Sequence, residues 1–196
     1  MPPTRPGPKI IMLLALPLCL SACAAAVVGG GTAAVAAHDR RSVGTVFDDQ
    51  ALEFQVVDRI FSSEEIGEES HIKVEVYEGV ALLMGETDSE AKRELAGRLA
   101  GEVGGVKRVV NEVRVVAIAS MATRLNNTWL TAKVNAELLR KNPVEGFDPT
   151  RIKVITSEGT VYLMGLVTRE EGEAVAEVAR NVSGVQRVVK VFNYLD

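Results

Sequence analysis

The side chains whose type and spacing could do chemistry lie in the second half of the sequence, where an indole and two cations recur at helical intervals. At about 100° per residue they share one face of a helix, away from the apolar positions Leu130, Val134 and Leu138. An indole settles at the headgroup level of a bilayer, and cations are attracted to an anionic surface. This pattern predicts weak contact with anionic phospholipid. The predicted binding residues are Trp129, Lys133, Ala136 and Arg140, with Ala132 and Leu139 on the flank.

The two halves of the chain differ in charge. Residues 47–116 hold 8 Lys and Arg against 16 Asp and Glu, whereas residues 124–196 hold 10 against 9, which gives net charges of -8 and +1. An anionic surface would repel the first half far more than the second. The first half has neither an aromatic group nor a cation at the positions equivalent to the indole face, which are Ala51, Gln55, Asp58 and Ser62.

A second interpretation of the same residues stays open. A tryptophan near the start of a helix is often an inter-domain packing residue, and two cations on a helix often form a solvated face. The two interpretations differ in whether Trp129 is covered by protein or left open to a membrane.

Residues for catalysis are scarce. The two histidines, His38 and His71, lie in a small-residue segment and at a strand start, and neither can be placed beside a nucleophile. Two Cys and two His have no metal-ligand spacing, and the glycine runs do not match phosphate-binding loops. We therefore expect no enzyme, no cofactor and no metal site. The net charge of -4 also argues against nucleic acid as a partner.

The first 22 residues have the pattern of an export signal. Arg5 and Lys9 precede an apolar run over residues 10–20, which is too short to span a bilayer. The run ends in Leu-Ser-Ala-Cys23, which resembles the lipobox of bacterial lipoproteins. The resemblance implies acylation of Cys23 and, because Ala24 follows it, sorting to the outer membrane. A leader with an incidental cysteine and an uncleaved anchor are the alternatives.

The rest of the chain is a duplication. The segment starting His71-Ile-Lys-Val returns 80 residues later as Arg151-Ile-Lys-Val, and Leu83-Met-Gly returns as Leu163-Met-Gly. Each copy shows a helical period that begins after Asp48-Asp49 or Asn126-Asn127, which we expect to be N-caps. Two alternating strands around a Glu-Gly turn, a second helix and a last strand follow. The predicted order is αββαβ, twice.

These repeated elements, together with Gly105-Val-Lys-Arg-Val-Val and its copy from Gly184, resemble the BON domain. A lipobox followed by two such units is similar to the dual-BON outer-membrane lipoproteins. The resemblance implies an α+β fold in which each domain packs a three-stranded mixed sheet on two helices. It also implies a periplasmic location, phospholipid binding through the opening helix of the second domain, and support of outer-membrane integrity, with division sites as a further expectation.

The predicted organisation has five parts. They are a signal peptide (1–22), an acylated N-terminus with a flexible tether (23–46), a first BON domain (47–116), a linker (117–123) and a second BON domain (124–196). The expected partner is an anionic phospholipid membrane. The alternative function is that of an adaptor, which would bind either an outer-membrane assembly protein or a protein that regulates cell-wall hydrolases.

Overall fold

The structure is a computed structural model that describes residues 39–67 and 70–195. The predicted signal peptide, Cys23, His38 and most of the predicted tether lie outside the described residues. None of the helices in the described ranges is both long enough and apolar enough to span a membrane.

Residues 40–196 form one compact unit that contains both repeats. The elements of the first are α1 (Val43–Phe61), β1 (His71–Tyr77), β2 (Val80–Thr87), α2 (Glu90–Gly101) and β3 (Arg108–Val115). Those of the second are α3 (Met121–Lys141), a 3-10 turn (Pro149–Arg151), β4 (Lys153–Ser157), β5 (Thr160–Val167), α4 (Arg169–Arg180) and β6 (Arg187–Tyr194). In each sheet the middle strand, β2 or β5, pairs antiparallel with the strand before it and parallel with the last strand. The predicted α+β fold with two αββαβ units is confirmed.

Side chains along the central strands point alternately to two different apolar clusters. On β2, Leu83 packs with the helices of its own domain, whereas Leu82 and Met84 pack against the other sheet. On β5, Leu163 and Met164 divide in the same way. The result is four layers in the order helices, sheet, sheet, helices. The opening helices α1 and α3 therefore lie on opposite outer faces.

Both opening helices begin earlier than predicted. Ser42 caps α1 by accepting a hydrogen bond from the Thr45 N–H (3.0 Å), and Ser120 caps α3 through the Thr123 N–H (3.3 Å). The predicted caps, at Asp48-Asp49 and Asn126-Asn127, are therefore wrong, because these residues lie in the second turn, where the backbone N–H groups already have helical partners. The helices also include the last residues of the predicted tether (23–46) and linker (117–123).

Asp49 holds a turn instead of capping a helix. Its buried carboxylate accepts hydrogen bonds from the N–H groups of Glu78 (2.7 Å) and Gly79 (2.9 Å) and pairs with Arg41 (2.7 Å). Glu78 and Gly79 both have positive φ, as the predicted tight hairpin requires. One side chain of α1 thus fixes the β1–β2 turn.

Replacement of this carboxylate should destabilise the protein. Asp49→Ala removes one ion-pair partner of Arg41 and the acceptor of two turn N–H groups, and we expect the free energy of unfolding to fall by about 3 kcal/mol. The exposed neighbour provides the control, since Asp48→Ala should change it by less than about 0.5 kcal/mol. Urea denaturation measures both, and equal effects of the two variants would contradict the assigned role.

The segment before α1 is attached to the second domain. The Arg40 guanidinium donates two hydrogen bonds of 2.6 Å to the Glu171 carboxylate and one of 3.1 Å to the Leu166 carbonyl. Glu171 also accepts from the Thr168 N–H (2.8 Å) in the capping box of α4. The hydrogen bonds from Arg40 lower the pKa of Glu171 below its ordinary value, although burial opposes this.

This ion pair should contribute stability that depends on pH. Because the pKa of Glu171 is lower in the folded than in the unfolded protein, its contribution is complete above the unfolded value and is lost as the pH falls through the folded value. We expect Glu171→Gln to destabilise the protein at pH 7, and the difference from the wild type to vanish well below pH 4. Denaturant titrations at several pH values test this, and a constant difference would contradict it.

Candidate membrane-docking site

The outer face of α3 is an exposed apolar stripe. Leu130, Val134 and Leu138 point inward and are buried. On the opposite side Trp129 is 59% exposed. At about 100° per residue the members of the stripe fall within about 80° of arc. The α3 stripe comprises Met121, Leu125, Trp129, Ala132, Ala136 and Leu139.

Met121 and Leu125 were not among the predicted site residues. They are 69% and 66% exposed and extend the stripe by one and two turns toward the N-terminus of α3. In the sequence, Leu125 and Met121 lie four and eight residues before Trp129, a spacing that indicates the same face of a helix. It was missed because the helix was expected to start at Asn126-Asn127, which left both residues outside it.

Lys133 lies against the indole. Its Nζ atom is 4.8 Å from the centroid of the Trp129 ring, within the range of a cation–π contact. The same atom donates a hydrogen bond of 2.8 Å to the Ser183 carbonyl, in the loop after α4. These two contacts hold the cation beside the stripe at the height of the indole, and no carboxylate in the described part of the chain forms a salt bridge with it.

Arg140 lies further along the same side of α3 and has an acidic partner. Its guanidinium pairs with the Glu137 carboxylate at 2.6 Å, one turn back on the helix. Hydrogen bonding within the pair raises the pKa of Arg140 and lowers that of Glu137. An exposed pair of this kind is weak. Arg140 can therefore exchange Glu137 for another anion without a large loss.

The structure partly corrects the comparison with the first domain. Ala51, Gln55 and Asp58 are exposed on α1, and this part of the face has neither an aromatic group nor a cation. A neighbouring strip of the same outer face nevertheless carries exposed phenylalanines, which the sequence comparison overlooked because it covered only four positions. The exposed apolar residues of α1 are Val43, Phe47, Phe54 and Phe61, which we call the α1 stripe.

The histidine inside the described ranges lies away from both stripes. The Nδ1 atom of His71 is 3.5 Å from the Glu86 carboxylate at the start of β1. Over residues 39–67 and 70–195, no three His, Cys, Asp or Glu side chains are grouped so that they could hold a metal ion.

The protein combines a lipobox-like leader, two αββαβ units packed sheet to sheet and an exposed apolar helix face. These features together define a class, the dual-BON lipoproteins. The BON domain family matches residues 48–117 and 126–196. The chain belongs to this family.

Curated relatives agree with this class. The chain is 38% identical to the outer membrane lipoprotein DolP of Haemophilus influenzae, over 97% of this chain and 98% of that one. It is 36% identical to a 21 kDa hemolysin of Actinobacillus pleuropneumoniae, over 80% and 79% of the two chains. It is 30% identical to the osmotically-inducible protein Y of Escherichia coli K12, over 74% and 72%. The predicted location is confirmed, and the protein is an outer-membrane lipoprotein that faces the periplasm.

The stability of the first turn of α3, which carries Met121, should depend on the Ser120 cap. Ser120→Ala removes the acceptor for the Thr123 N–H, and we expect a loss of about 1 kcal/mol in the free energy of unfolding with fraying of the turn that carries Met121. Hydrogen exchange of the first amides of α3 measures the fraying. Thr128→Ala, at an exposed mid-helix position, is the control, and the assigned cap is wrong if both variants exchange alike.

Proposed function

We propose that the protein binds anionic phospholipid through the α3 stripe and so supports outer-membrane integrity, including at division sites. The observation that carries this proposal is the exposed stripe itself, which has six members between Met121 and Leu139, an indole near its centre and two cations along one side. A soluble helix buries such a face unless something else covers it. This role uses binding alone and needs no catalytic group or cofactor.

The docked helix would lie parallel to the membrane. With 21 residues at about 1.5 Å per residue, α3 is about 30 Å long and presents the stripe along its whole length. The apolar side chains enter the boundary between headgroups and acyl chains, and Trp129 places its ring there with its N–H toward water. Lys133 and Arg140 then face the phosphates, where Arg140 leaves Glu137 for a lipid.

The lipid on Cys23 would make this weak contact effective. An interfacial helix with few cations binds a membrane weakly and reversibly, whereas an acyl anchor keeps it at high effective concentration near one leaflet. Anchoring and lipid recognition are thus carried by different parts of the chain. The net charge of the second domain, +1 against -8 for the first, supports α3 as the helix that meets an anionic surface.

Co-sedimentation with vesicles tests the proposal. The non-acylated fragment 40–196 contains every described helix and strand and all three apolar clusters, so it retains its complete core. We expect it to bind vesicles that contain phosphatidylglycerol and not vesicles of phosphatidylcholine alone. Trp129→Ala should weaken binding about tenfold, which corresponds to about 1.4 kcal/mol, and Lys133→Glu should weaken it further.

A matched control lies on the other side of the molecule. Phe54→Ala removes an aromatic ring of similar exposure from α1 and should leave vesicle binding unchanged. Binding that persists in the Trp129→Ala, Lys133→Glu double variant would contradict the proposal. Failure of the wild type to bind either vesicle would leave the acyl group as the membrane attachment and favour the adaptor role instead.

A further inference from the structure

The α1 stripe is a second exposed apolar surface that phospholipid binding by α3 does not use. Phe47 and Phe54 are 69% and 66% exposed, and both lie on the side of α1 opposite the buried Leu52, Val56 and Ile60. Phe47, Phe54 and Phe61 follow one another at intervals of seven residues, which keeps them on one line along the helix. Three exposed phenylalanines in a line form a continuous apolar surface, whereas single exposed apolar residues are common and need no explanation.

The layer order keeps the two stripes apart. Because α1 and α3 lie on opposite outer faces of the paired sheets, a flat leaflet that covers the α3 stripe leaves the α1 stripe pointing away from it. This step rests on the proposed function, since it takes the docked leaflet as the reference. The occupant of the α1 stripe is then something on the periplasmic side of the molecule.

The charges beside the α1 stripe are negative. Asp48 and Asp58 are exposed on α1, and neither has an ion-pair partner among the described residues, whereas the cation of this helix, Arg59, is paired with Glu102 at 2.6 Å. The first domain as a whole has a net charge of -8. Such a surface repels anionic lipid and attracts a partner that combines apolar and cationic side chains.

A groove beside the α1 stripe is lined by some of these acidic residues. It has a volume of about 450 Å³ and runs between α1 and the loops at Gly79 and Gly105, with Asp48 and Glu78 on its walls. Lys107 also lines the groove, and its Nζ atom pairs with the Glu78 carboxylate at 4.0 Å. The equivalent groove of the second domain is smaller, about 280 Å³, and has Asn126 where the first has Asp48. The groove at α1 therefore offers the Asp48 carboxylate, which has no ion-pair partner among the described residues, where the groove at α3 has an amide.

We propose that the α1 stripe and its groove bind a cationic amphipathic helix of a protein partner. The apolar ridge of that helix packs along the line of phenylalanines, and a lysine or arginine on its flank enters the groove toward Asp48. This is the helix-in-groove form of recognition, in which apolar anchors supply affinity and flanking charges supply orientation. The protein then links its leaflet to a periplasmic protein through two opposite faces.

A defined peptide tests the α1 site without lipid. The probe is a fluorescent 18-residue helix of Leu and Lys whose apolar face is flanked by Lys, and the reference is a scrambled peptide of the same composition. We expect fragment 40–196 to bind the amphipathic peptide and not the scrambled one. Phe54→Ser should weaken binding about tenfold or more, and Asp48→Asn, which introduces the residue found in the second domain, by two- to fivefold.

The control is Leu139→Ser, which removes an exposed apolar residue from the outer face of α3 and should leave peptide affinity unchanged. The proposal is wrong if Phe54→Ser and Leu139→Ser weaken peptide binding equally, or if neither variant weakens it. Sedimentation as a dimer that Phe54→Ser dissociates would also overturn it, since a second copy would then cover α1, and so would vesicle binding that depends on Phe54. The peptide assay contains no vesicle. A negative result in it would therefore count against the α1 site and not against the membrane contact of α3.

Discussion

Burial of the second face of each sheet against the other sheet is the constraint on which the rest of this structure depends. Each three-stranded sheet packs its helices on one side only, and the other side carries large apolar groups such as Leu82, Met84, Tyr162 and Met164. A domain of about 70 residues has a small core and could not leave that face in water. Pairing the sheets removes both faces from solvent at once, and it places all four helices on the outside.

The charge difference between the domains is also part of this pairing. Two carboxylates of the acidic domain pair with cations of the other across the seam, Glu112 with Arg187 (2.6 Å) and Glu75 with Lys153. Two further pairs, Arg114 with Glu158 and Arg40 with Glu171, run in the opposite sense. Lys153 and Arg187 of the second domain are therefore engaged at the seam and not offered to a membrane. The cations that remain beside the α3 stripe are few, which agrees with a contact that works through an anchor.

Duplication followed by divergence explains the two outer helices. The stripes occupy partly equivalent positions, with Phe47 matching Leu125 and Phe61 matching Leu139, whereas Trp129 matches Ala51. The chemistry around the faces differs, with Lys133 and Arg140 beside one and Asp48 and Asp58 beside the other. One architecture thus presents two surfaces of opposite electrostatic preference in opposite directions.

The sequence by itself determined the order of elements and the buried positions of α3, because periods of two and 3.6 residues show which side of a strand or helix is apolar. It misplaced both helix starts, since a serine cap competes with nearby Asp and Asn pairs of similar propensity, and this error hid Met121 and Leu125. Only the tertiary structure decided that Asp49 holds a turn, that Lys133 donates a hydrogen bond to Ser183, that Trp129 is left uncovered by the other domain, and that α1 and α3 face opposite ways. These depend on contacts between residues 30 or more positions apart or on the packing of the sheets, and no local period records such contacts.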